Sequence, residues 1–319
     1  MNANYARTII ATLTTVGAVS CTTMKREAPA PALREKEWVS YDGKVMPWKL
    51  WPVPKDKRVR AVVITVHGLS GATSDFWPIG EALPPRGVAV YGYEIRGQGN
   101  DPVIRDRGHI QSRQQWLLDL ETFDRLVKER HPGVPVFWHG TSLGSLIALH
   151  AAAESPSPPA GLILDAPLAG LRGEISGGKR FLLKAASALF PRMRFSLGQL
   201  AGVEEDSIQV TSGTTHGGQM AKTPHHVDAF SVRLLNEIGR LLEGNEEVLP
   251  KWKRPVLILA SPQDVVATPE QISAFHEKLS SDEKTLVWFD QSRHLLLHDV
   301  ERAEVVKSEE AWLRRRSAD

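Results

Sequence analysis

Val134-Pro135-Val136-Phe137-Trp138-His139-Gly140-Thr141-Ser142-Leu143-Gly144-Ser145-Leu146-Ile147-Ala148-Leu149-His150-Ala151-Ala152-Ala153 is the stretch from which the rest of the chain can be read. Its first five residues form an apolar run behind the turn signal His131-Pro132-Gly133 and read as a strand; the Leu- and Ala-rich end reads as a helix. Between them lies G-x-S-x-G. A serine pushed outward where a strand turns directly into a helix occupies a strained backbone conformation, and side chains two places before and after it would collide. Gly140 and Gly144 remove those side chains. The five-residue string is weak alone, and the strand before it and the helix after it make it specific.

Outward from this point, short apolar runs recur: 61–66, 88–93, 161–164, 255–259 and 285–289. Their near-continuous Val, Leu and Ile content marks strands buried on both faces. Gln111 to Arg130 carries Trp116, Leu120, Phe123 and Val127 at helical spacing. Alternation of such strands with helices implies a parallel sheet covered on both sides. Trp38 to Val53 alternates apolar and polar residues around Asp42-Gly43, which predicts an antiparallel hairpin opening a domain at residues 38–319. The rhythm fails between about residues 168 and 250. Helical patterns at 179–190 and 228–242 flank a turn-rich stretch there, and the segment reads as an inserted, mostly helical lid.

The chain has 319 residues with 42% hydrophobic content, enough for one large core, and a formal charge of +2 with basic and acidic residues interspersed. No basic stripe interleaved with aromatics occurs, so nucleic acid is not an expected partner. At the N-terminus, Arg7, a mildly apolar run and Ala18-Val19-Ser20-Cys21 form an export-signal pattern. Cys21 is the only cysteine in the chain. Its position resembles that of the lipidated cysteine of a bacterial lipoprotein, which predicts a signal at 1–20, a membrane anchor at Cys21, a charged, Ala/Pro-rich tether over 21–37 and a cell-envelope location.

A serine hydroxyl at neutral pH needs a base to take its proton and an acid to fix the tautomer of that base. In strand–turn–helix serine sites these follow the nucleophile in chain order, each in a loop just after a core strand. Ser261-Pro262-Gln263-Asp264 follows one such strand and Asp290-Gln291-Ser292-Arg293-His294 another, so Asp264 and His294 are the expected acid and base beside Ser142. His298 shares the last loop but stands farther from its strand; Asp165, directly after 161–164, is the rival acid. A tetrahedral intermediate also needs two donors for its oxyanion. Leu143, after the nucleophile, offers one backbone N–H, and Leu69 in His67-Gly68-Leu69-Ser70-Gly71 the other.

Together His67-Gly68-Leu69, the Gly140–Gly144 turn, Ser261–Asp264 and Arg293-His294-Leu295-Leu296-Leu297-His298-Asp299 resemble the monoacylglycerol lipase and lysophospholipase branch of the α/β-hydrolases, a branch also known as serine aminopeptidase-like. The resemblance runs over about residues 38–315. It implies an α/β-hydrolase fold with an eight-stranded sheet, a helical lid, hydrolysis of a small acyl ester, and neither cofactor nor metal. Where that branch has D-x-x-G-x-G-x-S, this chain has Glu94-Ile95-Arg96-Gly97-Gln98-Gly99-Asn100-Asp101, with Glu for Asp and Asp for Ser. The basic and apolar stretch 179–190 could rest on a lipid surface or simply pack within the lid. Two other readings stay open: an amidase or aminopeptidase on the same three residues, with Glu204, Glu205 or Glu237 holding an amino terminus, and a non-catalytic envelope binding protein.

Overall fold

The computed structural model describes residues 29–173, 177–202 and 204–317, so the predicted signal, Cys21 and most of the tether lie outside the described residues. Eleven strands are described: β1 (Ala32–Leu33), β2 (Glu37–Val39), β3 (Val45–Trp51), β4 (Ala61–Val66), β5 (Val88–Tyr93), β6 (Val136–Thr141), β7 (Gly161–Asp165), β8 (Arg194–Phe195), β9 (Phe230–Ser231), β10 (Val256–Ala260) and β11 (Lys284–Trp288). The helices are α1 (Trp77–Ala82), α2 (Arg113–Arg130), α3 (Leu143–Glu154), α4 (Gly177–Leu189), α5 (Leu197–Ala201), α6 (His216–Met220), α7 (Val232–Val248), α8 (Pro269–Lys278) and α9 (Arg302–Arg314).

Nine strands form one sheet in the order β1-β2-β3-β5-β4-β6-β7-β10-β11, parallel from β5 to β11 and antiparallel from β1 to β5. Eight of them are the expected sheet. The ninth is β1, which adds to the edge through Ala32 opposite Val39 and Leu33 opposite Trp38. The tether therefore ends earlier than residue 37 and the domain begins before residue 38. A two-residue strand has no periodicity to betray it, and this one is secured by side chains from elsewhere: Arg130 Nη2 donates to the Leu33 carbonyl at 2.8 Å and Trp48 Nε1 to that of Arg34 at 2.9 Å.

Because successive strand residues face opposite ways, the sheet builds two cores. Val62, Ile64, Val66, Trp138 and Leu164 pack with α2, α3, α7 and α8; Ala61, Val63, Phe137, Ile163 and Leu257 pack with α1 and α9. Each fully buried aliphatic or aromatic side chain contributes about 1.5–3 kcal/mol, which is why the central strands need no help from turns. The inserted segment is less uniform than the sequence suggests. Leu234, Leu241 and Val248 of α7 and Phe230 of β9 belong to the larger core, so α7 is part of the helical layer; α4 to α6 and β8, which pairs with β9, make the outer part.

Candidate active site

The carboxyl ends of β4, β6, β7, β10 and β11 lie side by side, and the polar residues singled out above project from the loops they feed. At the end of β6, Ser142 has φ 54° and ψ −116°, a left-handed conformation that costs a non-glycine residue about 1–3 kcal/mol. The surroundings hold it there. Ser142 N–H donates to the Asp165 carbonyl at 2.9 Å, its own carbonyl accepts from Ser145 N–H at 3.0 Å, and Ser145 Oγ donates to the Gly140 carbonyl at 2.6 Å. A Cβ on Gly140 would fall on the Gly144 carbonyl, and one on Gly144 would fall on the Val66 carbonyl. The first collision is the expected one within the turn; the second lies with the neighbouring strand β4, which the turn must approach closely.

His294, in the loop after β11, places Nε2 3.0 Å from Ser142 Oγ and Nδ1 2.9 and 3.0 Å from the two oxygens of Asp264. The two partner loops are tied to each other, since Ser261 Oγ donates to the Ser292 carbonyl. Burial opposes charge on Asp264, but the imidazole of His294 and the amides of Val266 and Ala267 hold its carboxyl below the usual range. On His294 burial again opposes the charge, and the Asp264 carboxylate outweighs it, so the imidazole is raised above its ordinary value. A ring oriented this way can accept the Ser142 proton on Nε2 while its Nδ1–H stays committed to Asp264. Ser142 is only half-buried and can be reached by a substrate.

Neither rival takes part in this hydrogen-bonded sequence. Asp165 accepts from Thr141 Oγ1 at 3.0 Å, and His298 lies in a single 3-10 turn, Leu296–His298, ahead of α9. Among the lid carboxylates, Glu237 accepts from Arg113 N–H at 2.9 Å and pairs with Arg240 at 3.2 Å, while Glu205 accepts from Gly198 N–H at 3.3 Å. Among the described residues no group of three or more His, Cys, Asp or Glu side chains is placed to hold a metal ion.

The loop after β4 lies against the serine: a Cβ on Gly68 would come 3.2 Å from Ser142 Cβ. Leu143 opens α3, where first-turn amides have no intrahelical partner, and Leu69 precedes Ser70, itself left-handed at φ 58°. Three contacts fix Ser70. Its N–H donates to Gln98 Oε1 at 2.8 Å, its Oγ accepts from Val227 N–H at 2.9 Å, and that hydroxyl lies 3.2 Å from His226 Nδ1. Gln98 belongs to the segment that departs from the pattern D-x-x-G-x-G-x-S, and both departing residues have partners in the structure. Glu94 reaches back to accept from Thr73 N–H at 3.2 Å, and Asp101 accepts from Lys44 Nζ at 2.6 Å as well as from Gly97 N–H at 2.8 Å.

Four further residues position this site without having been anticipated. Gln98, Ser70 and His226 brace the loop carrying Leu69. Asp299 accepts from Arg293 N–H at 2.8 Å and Ser212 N–H at 2.9 Å, tying the His294 loop to the insertion. Asp299, Ser70 and Gln98 stood in motifs quoted from the sequence, but without a signal for these contacts; His226 has an ordinary loop identity and no local signal.

A hydroxyl, an imidazole and a carboxylate in hydrogen-bonded sequence at the carboxyl ends of this sheet make the protein a serine hydrolase of the α/β-hydrolase class. Within that class the chain belongs to the family described as serine aminopeptidase, S33, which matches residues 57–301. It is 26% identical to the monoglyceride lipase of Rattus norvegicus over 254 residues, 78% of each chain. It is 23% identical to the thermostable monoacylglycerol lipase of Bacillus sp. strain H-257 over 251 residues, 77% of this chain and 87% of that one. A solved structure of a soluble variant of the Saccharomyces cerevisiae monoglyceride lipase, in complex with a substrate analogue, superposes with TM-score 0.77 and 20% identity over 92% of this chain and 98% of that chain. The monoacylglycerol lipase of Paleococcus ferrophilus gives 0.71 and 22% identity over 84% and 98%.

Proposed function

We propose that the protein hydrolyses carboxylic esters of the monoacylglycerol or lysophospholipid type, with Ser142 as nucleophile, His294 as general base and acid, and Asp264 as the group that orients His294. The observation that carries this reading is the 3.0 Å hydrogen bond from Ser142 Oγ to His294 Nε2, backed by Asp264 at 2.9 Å. Ser142 Oγ attacks the ester carbonyl as His294 takes its proton, and the tetrahedral oxyanion is received by the N–H groups of Leu143 and Leu69. His294 then protonates the departing alcohol. Water, deprotonated by the same imidazole, attacks the acyl-enzyme and releases the fatty acid and Ser142. The monoglyceride lipases among its relatives support the ester, and the commitment of Glu205 and Glu237 to other partners weighs against an amino-terminus pocket.

A fluorophosphonate probe tests the nucleophile: wild type is labelled and Ser142→Ala is not, whereas equal labelling of both sinks the assignment. Turnover of an acyl ester series against aminoacyl amides tests the substrate class. A preference for the amides would reverse it.

The finer reading is a protein held at a membrane surface in the bacterial cell envelope through lipid on Cys21. Its support is the sequence Ala18-Val19-Ser20-Cys21 together with an apolar surface on α4, where Phe181, Leu182 and Leu189 are 71%, 66% and 73% exposed beside Arg180 and Lys184. No described helix is long and apolar enough to cross a membrane. Incorporation of radiolabelled palmitate into the wild type, lost in Cys21→Ala, is the expected result; equal incorporation in Cys21→Ala rejects the anchor.

A further inference from the structure

On the α9 side of β6, directly before the serine turn, a second ionic cluster lies apart from the three residues just assigned. Strand alternation sends His139 toward the same layer as Phe137, where its neighbours are otherwise apolar; the ring of Phe76 packs edge-on against it at 5.2 Å. His139 Nδ1 is 3.2 Å from Glu309 Oε1 of α9, and Nε2 is 3.9 Å from Asp165 Oδ2 at the end of β7. All three groups are sealed from water, at 0%, 0% and 1% exposure. One oxygen of each carboxylate and Nε2 of the imidazole have no hydrogen-bond partner, so charge holds this cluster more than hydrogen bonding does.

Asp165 connects the cluster to the chemistry. Its carbonyl receives the Ser142 N–H at 2.9 Å and its carboxylate the Thr141 hydroxyl at 3.0 Å, so one residue grips both positions at the strained turn. We propose that Asp165 is a positioning residue for Ser142, and that His139, fixed in turn by Glu309, supplies the counter-charge that keeps the Asp165 side chain in place. The inference rests on Ser142 being the nucleophile.

Two buried carboxylates without a cation between them would repel, and the Asp165 side chain would turn toward other partners. The charged groups facing the His139 ring are Glu309 from α9 and Asp165 from β7; the turn at Thr73–Phe76 contributes the phenyl ring. Burial alone would strip the proton from His139, but Glu309 and then Asp165 outweigh it and push the imidazole up to about 9. The cluster is therefore intact across neutral pH and fails as pH rises through that value. Deprotonation of His294 only adds to the fraction able to act as base, so an alkaline loss of turnover cannot come from it.

The test is kcat and KM on p-nitrophenyl butyrate from about pH 7 to about pH 10, with circular dichroism at each point, on wild type, Glu309→Gln and Asp165→Asn. Wild type should lose about tenfold in kcat in a limb centred near the His139 value, with KM and the spectrum unchanged. Glu309→Gln touches neither Ser142, His294 nor Asp264, yet it should move that limb down by about one pH unit by removing one of the two counter-charges. Asp165→Asn should lower kcat by about tenfold already at neutral pH. A flat wild-type profile, or a limb at the same pH in Glu309→Gln, overturns the proposal. Should the variants fail to fold, histidine NMR of wild type decides: a buried imidazole titrating with the limb supports it, and none above about pH 8 rejects it. Fluorophosphonate labelling of Ser142→Ala would defeat the nucleophile assignment while leaving that titration unchanged, so the two failures are distinguishable.

Discussion

Where β4, β6 and β7 run together, nearly every side chain has lost contact with water, whereas α4 of the insertion leaves Phe181, Leu182 and Leu189 each more than half exposed. The strained serine sits in the first region. A left-handed Ser142 persists only where its neighbours over-determine it, and the packed turn against Asp165 and Val66 does so. The insertion touches the chemistry at few points, among them Val227 and His226 on Ser70, Val210 on the Leu295 amide, Ser212 on Asp299, and Arg172 on the Asp264 carbonyl. The rigid part thus carries the proton relay, and the looser part braces the oxyanion, acid and base loops from outside.

The largest effects should come from the rigid part. Ser142→Ala is expected to lower kcat by roughly 10⁶ and Asp264→Asn by roughly 10⁴, the second because an amide can hold the wrong tautomer of His294. Thermal unfolding of Ser142→Ala should stay close to wild type, since the alanine keeps the Cβ and loses only the hydroxyl. A residual rate in Ser142→Ala comparable to wild type would move the nucleophile elsewhere.

Next in size is the response to acid. His294 must be neutral to accept the serine proton, and its imidazole is raised above its ordinary value. Activity should therefore fall about tenfold for each pH unit below that raised value. Its stability contribution has the opposite sign: it is complete below the ordinary histidine range and is lost as pH rises through the folded value. Asp264, held below the usual carboxylate range, adds stability above that range and loses it as pH falls through its depressed value. A kcat/KM profile with its acid limb at or below the ordinary imidazole value would contradict the hydrogen-bonded pair.

Contacts between the two regions come third. The Asp299 carboxylate accepts from the amides of Ser212, Arg293 and Val300 at 2.8–2.9 Å. Asp299→Ala leaves these without their acceptor, which should cost about 1–3 kcal/mol in urea unfolding and lower kcat by roughly tenfold as the His294 loop loosens. Unchanged kcat would mean that the base loop does not depend on the insertion.

The same contrast governs what the sequence discloses. Five strands announce themselves as apolar runs because both of their faces are covered, the half-buried edge strand β11 shows a sixth such run, and Ser142, Asp264 and His294 could be found because each follows one of them. Position in a repeating pattern identifies them better than residue type does. β1 is too short to have a pattern, and α7 shows helical spacing without showing that its apolar face joins the main core. His139 was in plain view in the decisive stretch, yet its partner Glu309 lies 170 positions away, and no local spacing joins them. Gln98 and Ser70 were likewise quoted, while their mutual contact depends on how two loops close over each other.

The smallest effect is expected on α4. The helix rests on α7, with Arg180 and Lys184 3.9 and 3.6 Å from Glu243, and turns Phe181 and Leu182 outward. Exposing two such side chains to water forfeits hydrophobic stabilisation, so a surface that keeps them has a use for them or tolerates their cost. Replacing both with serine changes nothing near Ser142. Hydrolysis of a dissolved short-chain ester should then stay within about twofold of wild type, while hydrolysis of monoacylglycerol dispersed in anionic vesicles should fall about three- to tenfold through weaker surface binding. An equal fall on both substrates would make α4 a structural brace for the site, and no fall on either would leave the exposed pair without a part in substrate capture.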